Sequence, residues 1–281
     1  MFGYTLPKPS PNRSPLSSSG QLPAFTSIEG ARDCLHKILE FVQGLRLQVF
    51  QVHSSSSPEY ISAQNPLLER EQQAALLLVE SWRRNLEHFI TQPAMSADQH
   101  SQALLILRAQ YLITKIGACA SLDPSKTNHE EHLGDFKGIT VAAEEGLTKF
   151  PLEEEAMSFS FEMSFLAPLY LTALKCRDST VRRKALELMR LTGAKEGLWL
   201  RAELICVAAR AMELEEGLAV FGSEGNPSGT TDRGPVLFFD VLAGLNYRKD
   251  GKTFVDVVYL TYDATSAQHW HTMQETLLVG E

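Results

Sequence analysis

The sequence predicts a mostly α-helical protein, built from stacked antiparallel helix pairs, with a C-terminal β-hairpin. Three observations predict this fold. Apolar residues recur at steps of three and four along most of the chain up to about residue 217, which is the period of an amphipathic helix. Short turns join successive segments, so neighbouring helices should lie antiparallel. Near the C-terminus two β-rich runs flank the dipeptide Asp250–Gly251, which is a strong hairpin signal.

Residues 1–26 are expected to form a disordered tail or linker. Five of the 13 prolines and a run of serines lie in this stretch. Such a composition buries too little apolar surface to offset the entropy of ordering the chain. Residues 27–281 are then predicted to form one helical domain, with the β-hairpin at about 236–262.

The first helix is predicted to start at Thr26 and Glu29, which have the spacing of a capping box. Apolar residues then form one stripe over 28–52. The stripe is either the seam of a coiled-coil dimer or the buried face of a helix inside the domain. The second interpretation is favoured because Gly44 weakens the helix and flanking charges are sparse. The candidate dimer stripe consists of Leu35, Ile38, Val42, Leu45 and Val49.

The second helix is predicted to begin at Asn65, because an N-cap asparagine followed by Pro66 at the first helical position is a helix-start signature. A third helix is predicted from Ser96 to about Cys119. A fourth helix is predicted over 135–149. These segments complete the helical part of the N-terminal half.

Three further helices are predicted in the second half of the chain. Pro168 should start or kink the first of them. Asp178 or Ser179 can cap the next one, because a short polar side chain at that position accepts a backbone hydrogen bond. The last is predicted to run from Glu196 to about Phe221.

Composition excludes several classes of function. The formal net charge of -8 argues against a protein that mainly coats phosphate backbones. The four cysteines, Cys34, Cys119, Cys176 and Cys206, lie too far apart for a structural zinc site. They indicate reduced thiols of the cytosol or nucleus. The N-terminus lacks the pattern of a secretory signal, and the apolar runs are too short to cross a bilayer, so no membrane association is expected.

Patterns of known catalytic chemistry are missing from the sequence. The motifs of serine hydrolases, phosphate-binding loops and zinc proteases do not occur. The pairs His269 with His271 and His129 with His132 could bind a metal, but no third ligand is evident and a polar surface role is favoured. The acidic run 153–155 is interpreted as solvated. No catalytic residue, metal or cofactor is therefore predicted.

A basic segment stands out in the acidic chain. Residues 175–201 carry eight basic and three acidic side chains, a net charge of +5. The segment is either a docking surface for an acidic partner or phosphate, or it is neutralised within the fold by the acidic block 144–162 and by Glu213, Glu215 and Glu216. Internal neutralisation is favoured. The candidate interaction patch consists of Lys175, Arg177, Arg182, Arg183, Lys184 and Arg190.

One stretch resembles a known family. Residues 168–189 read PLYLTALKCRDSTVRRKALELM, followed by EGLW at 196–199 and VAARAMELEEG at 207–217. This succession resembles the C-terminal regulatory region of fungal binuclear zinc-cluster (Zn2Cys6) transcription factors, the fungal-specific transcription factor domain. The resemblance covers about a fifth of the chain. The family-like packing motif consists of Pro168, Tyr170, Cys176, Asp178, Gly197 and Trp199.

The sequence departs from that family in one respect. The DNA-binding module of the family holds six closely spaced cysteines near the N-terminus, whereas here the first cysteine is Cys34 and the next is Cys119. The resemblance therefore implies a regulatory domain without its own zinc cluster. No direct sequence-specific DNA binding is expected from this chain.

The resemblance implies a non-catalytic transcription-regulator-type domain, nuclear and concerned with fungal metabolism. Such a domain would bind a protein partner, either the transcription machinery or a DNA-binding regulator, or a small effector in a helix-lined pocket. The alternative is a cytosolic helical interaction protein of a secondary-metabolite pathway that dimerises through the helix over 28–52. An enzyme remains a third class, because catalytic residues can converge from distant parts of a sequence.

Overall fold

The structure is a computed structural model. It describes residues 22–54, 57–92, 97–122, 127–150, 164–197, 199–217, 237–263 and 270–280. The fold is mostly α-helical with a C-terminal antiparallel sheet, which confirms the predicted fold class. The chain divides into two compact units, residues 1–99 with 117–122, and residues 100–116 with 123–281. The predicted single domain over 27–281 stays a prediction.

The described residues form mainly helices up to Glu215, with two short strands before the last helix, and a sheet at the C-terminal end. The helices are α1 (Ile28–His53), α2 (Pro58–Ile90), α3 (Ala97–Cys119), α4 (Leu133–Lys149), α5 (Leu166–Lys175), α6 (Ser179–Met189) and α7 (Arg201–Glu215), with a 3-10 turn over Thr127–His132. The strands are β1 (Lys195–Glu196), β2 (Trp199–Leu200), β3 (Asp240–Lys249), β4 (Lys252–Tyr262) and β5 (Trp270–Val279). The predicted hairpin is β3 with β4, and β5, which the sequence analysis missed, extends it to a sheet of order β3-β4-β5.

The first unit is built on the packing of α1 along α2. Each member of the candidate dimer stripe is at most 2% exposed. Trp82 of α2 is 1% exposed, and its indole N–H donates to the carbonyl of Ala31 in α1 at 2.7 Å. The stripe is therefore an internal face of this unit, and a dimer through it would require α1 to separate from α2.

The first helix begins one residue later than its predicted capping box. Ser27 is the N-cap, and its hydroxyl accepts the backbone N–H of Gly30 at 3.0 Å. The predicted pair Thr26 and Glu29 does not form the cap. Ser27 and Thr26 carry equivalent hydroxyl groups one position apart, so sequence alone does not separate them.

The boundary of the predicted tail also needs correction. Phe25 is buried and lies 6.1 Å from Trp82, ring centre to ring centre. The Asn85 side chain donates to the carbonyl oxygens of Leu22 at 3.2 Å and Pro23 at 3.0 Å. Residues 22–26 are therefore held against α2 through Leu22, Pro23 and Phe25. Residues 1–21 lie outside the described part of the chain.

The predicted start of the second helix is wrong. Ser57 caps α2 by accepting the N–H of Tyr60 at 3.3 Å, and Pro58 occupies the first helical position. Pro66, the predicted start, lies inside the helix. Ser–Pro and Asn–Pro are equivalent start signatures, and the upstream one is used although Pro66 removes one backbone hydrogen bond from the helix.

The second unit has one core shared by helices and sheet. Alternate residues of β4, Val255, Val257 and Tyr259, are fully buried with Val207 and Ala211 of α7. One face of the sheet therefore covers α7, as a hairpin too small to be stable alone requires. This packing brings the start of β3 to the ends of α5 and α7, where the candidate site residues lie.

The helix predicted over 196–221 is shorter than expected. Residues 195–200 form a two-stranded turn, and α7 begins only at Arg201 and ends at Glu215. Gly197 has φ +58, a left-handed conformation that favours glycine and interrupts a helix. The Arg201 guanidinium closes the loop by donating to the carbonyls of Arg190, at 3.1 Å, and Thr192.

The hairpin turn forms where the sequence predicts it. Asp250 has φ 52 and Gly251 has φ 74, and two positive φ values are typical of the tight turn between antiparallel strands. Lys249 pairs with Lys252 across the turn. The local chemistry of these two central residues therefore determines the hairpin.

A β-bulge interrupts the pairing of β3 with β4. The register shifts between Ala243 and Asn246, so that Gly244 and Leu245 together lie opposite Asp256. A Cβ atom at Gly244 would lie 3.1 Å from the Asp256 carbonyl oxygen, a close approach that favours glycine. The bulge places an extra residue in the middle of β3.

Candidate functional site

Two of the six residues of the candidate interaction patch are buried in the second unit. Lys175 is 5% exposed and Arg182 is 3% exposed. They form, with Arg177, Glu215 and Asp240, a group of charged side chains between α5, α6, α7 and the start of β3, which we name the buried charge cluster. Buried charges are stable only when they are paired and hydrogen-bonded. The partners of each charged side chain therefore show what it contributes to the fold.

Glu215, the last residue of α7, is the central acid of the buried charge cluster. Its Oε2 lies 2.8 Å from a guanidinium nitrogen of Arg182, and its Oε1 lies 3.4 Å from one of Arg177. Oε1 also accepts the backbone N–H of Phe238 at 2.9 Å. One carboxylate therefore connects α6 and the chain before it to α7 and to the segment leading into β3.

Arg182 is held on two sides. Its Nε donates to the carbonyl of Ala173 in α5 at 2.7 Å, and its terminal nitrogen faces Glu215. Burial lowers the pKa of Arg182, and the adjacent Glu215 carboxylate acts in the opposite direction. The guanidinium thus connects α5, α6 and α7 through directed contacts.

Lys175 ends α5 and contacts the residues that lead into the sheet. Its ammonium group donates to the carbonyl of Phe239 and lies 3.6 Å from Asp240 Oδ1. It also lies 6.0 Å from the centre of the Phe239 ring, within the range of a cation–π contact. The lysine therefore joins the helical layer to β3.

The remaining basic residues of the patch lie nearer the surface. Arg183 pairs with Glu216 at 2.5 Å, and Lys184 pairs with Glu144 at 2.7 Å. Five of the six candidate patch cations thus have a carboxylate partner within the chain. Arg183 and Arg190 are exposed. The net positive charge seen in the sequence is therefore largely balanced inside the fold.

The acidic half of this arrangement was only partly foreseen. Glu215 and Glu216 were among the acids expected to neutralise the basic segment, whereas Asp240 was not considered. The Asp240 side chain is remote in sequence from Lys175, and no local pattern connects them. The only feature of the sequence that draws attention to Asp240 is its position at the start of a β-rich run.

The family-like packing motif consists of capping and packing residues. Asp178 is the N-cap of α6, as predicted, and accepts the N–H of Val181 at 2.9 Å. Pro168 lies in the first turn of α5 and is buried. Cys176 is fully buried, and burial raises the pKa of its thiol.

The second part of the motif lies in the turn before α7. Trp199 packs edge-on against Tyr170, with ring centres 6.2 Å apart. Trp199 remains 41% exposed, whereas Tyr170 is buried. With the left-handed Gly197 described above, these residues fix the shape of the turn against α5. Each motif residue therefore has a capping, packing or backbone role in the described part of the chain.

Glu196, within the same turn, is a buried acid that the sequence placed at a helix start and in the family-like EGLW run. Its two carboxylate oxygens accept the N–H of Ser164 at 2.7 Å and the hydroxyl of Ser164 at 2.6 Å. Burial raises the pKa of Glu196, and the hydrogen bonds from Ser164 act in the opposite direction. The carboxylate thus connects the turn to the start of α5.

Glu196→Gln is expected to change how stability depends on pH. Because the folded-state pKa is raised, the unfolded chain loses the Glu196 proton first as pH rises above about 4.5. Wild-type stability should fall relative to the variant from that pH upward, until the raised folded-state pKa is passed. Urea unfolding measured across this range gives the difference. Glu187→Gln, at an exposed site on α6, is the matched control and should leave the profile parallel to wild type; equal profiles for Glu196→Gln would contradict the prediction.

The histidine pairs do not form a metal site in the described residues. His129 and His132 lie in the 3-10 turn and are buried, and His132 Nδ1 lies 3.0 Å from Asp135 Oδ2. His271 is on β5, whereas His269 and the acidic run 153–155 lie outside the described residues. Across the described ranges, no group of three or more His, Cys, Asp or Glu side chains could hold a metal ion.

A small pocket opens in the first unit. Its volume is about 170 Å³, below the roughly 300–1,000 Å³ typical of ligand pockets. It lies between α1, α2 and the residues after α3. The lining residues are Val49, His53, Asn65, Leu68, Glu69 and Leu122.

Comparisons with known proteins found no matching protein-family model, curated protein or solved structure, so the function of this chain is inferred from its own residues. Among the helices that the structure describes, none has the length and apolar character needed to cross a membrane.

Proposed function

We propose that this chain is a non-catalytic regulatory domain of the fungal transcription-factor type, which acts in the nucleus by binding a protein partner. The partner is the transcription machinery or a DNA-binding regulator. The observation that carries the proposal is that charged residues of the family-like stretch are engaged in contacts within the chain. Asp178 caps a helix, Arg182 bonds Ala173 and faces Glu215, and Glu196 bonds Ser164. Side chains engaged in this way support the fold, as a packing motif should.

Charge supports a partner other than DNA. The chain has a formal net charge of -8, and five of the six patch cations face carboxylates of the same chain. Phosphate backbones are bound by cations that can displace counterions. Regulation of target genes, in fungal metabolism, is therefore proposed to pass through a protein that itself contacts DNA.

The pocket described in the first unit gives no support to a small-effector site. The pocket in the first unit, about 170 Å³, is smaller than sites that enclose a drug-sized ligand. The alternative function, a cytosolic interaction protein that dimerises through α1, receives no support from the stripe, because α2 covers it.

Tethering the full chain to an unrelated DNA-binding domain tests the proposal. In a fungal cell, the fusion should change the output of a reporter gene several-fold relative to the DNA-binding domain alone. Glu215→Gln, which disturbs the buried charge cluster, should abolish the change. Glu216→Gln, at the neighbouring surface pair, should retain it.

Two results would overturn the proposal. One is a reporter that responds equally to the fusion and to the DNA-binding domain alone. The other is tight binding of specific promoter DNA by the purified chain with no partner present, measured at physiological salt because salt dominates such affinities.

A further inference from the structure

The outer edge of the C-terminal sheet carries exposed apolar side chains. Among the described residues, β3 pairs only with β4, so β3 forms one edge of the sheet. Leu245 on β3 is 90% exposed, Leu242 is 53% exposed and Tyr247 is 42% exposed. An edge strand offers a row of backbone donors and acceptors to another strand, and apolar side chains on it favour such pairing.

We propose that β3 pairs antiparallel with β3 of a second copy of this chain, which joins two three-stranded sheets into one of six strands. The pairing is centred between Gly244 and Leu245. This register is identified by complementarity of charge, side-chain face and side-chain volume along β3. The inference concerns assembly and does not depend on the proposed function.

Charges are complementary at both ends of the paired strands. In this register Asp240 of one copy lies opposite Lys249 of the other, and the two-fold symmetry repeats the pair. The Asp240 side chain is 33% exposed while it contacts Lys175, so one side of the carboxylate is accessible. Opposite charges directly across two strands stabilise their pairing.

The side chains that meet in this register lie on the same face of the sheet. Leu242 lies opposite Tyr247 of the second copy. Within one chain, Leu242 pairs with Val258 and Tyr247 pairs with Phe254. Val258 and Phe254 are an even number of residues apart on β4, so Leu242 and Tyr247 share a face. The bulge between them produces this match, because it shifts the alternation of β3 by one residue.

The bulge also supplies complementary volume at the symmetry axis. Leu245 of one copy lies opposite Gly244 of the other, so a large exposed side chain meets a residue with no side chain. The same contact occurs twice. A bulge ordinarily discourages pairing with a regular strand. When two bulges lie opposite each other at the axis, the residues on either side of them remain paired. An unrelated strand would have no matching bulge, so a second copy of this chain is favoured as the partner.

The opposite edge of the sheet lacks this self-complementarity. Glu275 is the only formally charged residue of β5, and its carboxylate lies 3.0 Å from Arg210 of α7. Tyr259 also donates to Glu275 at 2.7 Å. Antiparallel pairing of two β5 strands would therefore gain no pair of opposite charges, and β3 is the edge assigned to the dimer.

Sedimentation equilibrium of the full chain tests the assembly. We expect a monomer–dimer equilibrium in wild type. The dimer dissociation constant of Leu245→Lys should be at least about tenfold higher than that of wild type, because loss of a central apolar contact typically has this effect. At concentrations where both proteins are monomeric, Leu245→Lys should keep the wild-type melting temperature, since the side chain is 90% exposed. Leu77→Lys, at a 57% exposed site on α2, is the matched control and should associate like wild type.

Hydrogen exchange locates the interface. Amides of 240–249 should become more protected as protein concentration rises, whereas amides of 270–279 should not change. Lys249→Glu should weaken association, because it places two acids opposite each other at both ends. A strict monomer at all concentrations, a dimer unaffected by Leu245→Lys, or concentration-dependent protection confined to 270–279 would each overturn the proposal.

Discussion

Glu215→Gln is expected to lower the free energy of unfolding by about 3–5 kcal/mol, the range found when one partner of a buried ion pair is removed. The Glu215 side chain is 2% exposed and faces Arg182, which is 3% exposed. Glutamine keeps the volume and can still accept the N–H of Phe238, but it leaves Arg182 and Arg177 without their carboxylate. Urea unfolding of the full chain, followed by circular dichroism, measures the loss.

Two further variants make this result specific. Glu216→Gln removes the partner of Arg183, whose side chain is 51% exposed, and should change stability by less than about 1 kcal/mol. Adding Arg182→Met to Glu215→Gln should recover part of the loss, because the buried positive charge is then also removed. Equal losses for Glu215→Gln and Glu216→Gln would contradict the central role of Glu215.

Trp82→Ala is expected to lower the free energy of unfolding by about 3–5 kcal/mol. Trp82 is among the largest fully buried side chains of the described residues. It fills the space between α1 and α2, contacts Phe25 and donates to the Ala31 carbonyl. Alanine leaves a cavity and also removes that hydrogen bond. The measurement is again urea unfolding of the full chain.

Phenylalanine at the same position separates volume from hydrogen bonding. Trp82→Phe keeps most of the ring volume, so it should lose clearly less stability than Trp82→Ala. Leu77→Ala, at an exposed site of the same helix, should change stability by less than about 0.5 kcal/mol. If Trp82→Phe destabilised the protein as much as Trp82→Ala, the hydrogen bond to Ala31 rather than the packed ring would be the dominant contribution.

Regular periodicity and local turn chemistry allowed large parts of the fold to be predicted. The stripe along α1 was predicted residue by residue, and all eight apolar residues from Ile28 to Val52 are buried. The hairpin at Asp250–Gly251 was predicted because positive φ values at both central residues restrict the choice of side chain. Both features depend on residues close together in the chain.

Prediction failed where two local signals were equivalent or one was weak. Ser57–Pro58 and Asn65–Pro66 both indicate a helix start, and packing decides between them. Residues 270–279 alternate, with Met273, Leu277 and Val279 toward the core, but polar residues on both faces obscure the pattern. Strand β5 was therefore not predicted.

The candidate site was predictable in composition but not in geometry. The sequence shows an excess of cations over 175–201 and acids elsewhere. It does not show that Arg182 meets Glu215 or that Lys175 meets Asp240, because those pairs join different elements. Only the tertiary packing determines which charges are buried.

The contacts of Lys175 and Glu215 have a consequence for synthesis of the chain. Both residues leave the ribosome before Phe238, Phe239 and Asp240, which supply the N–H, the carbonyl and the carboxylate they contact. The helices of the second unit therefore complete their polar contacts only after these three residues emerge. A nascent chain interrupted before Phe238 would leave the Lys175 ammonium group and the Glu215 carboxylate without these three contacts.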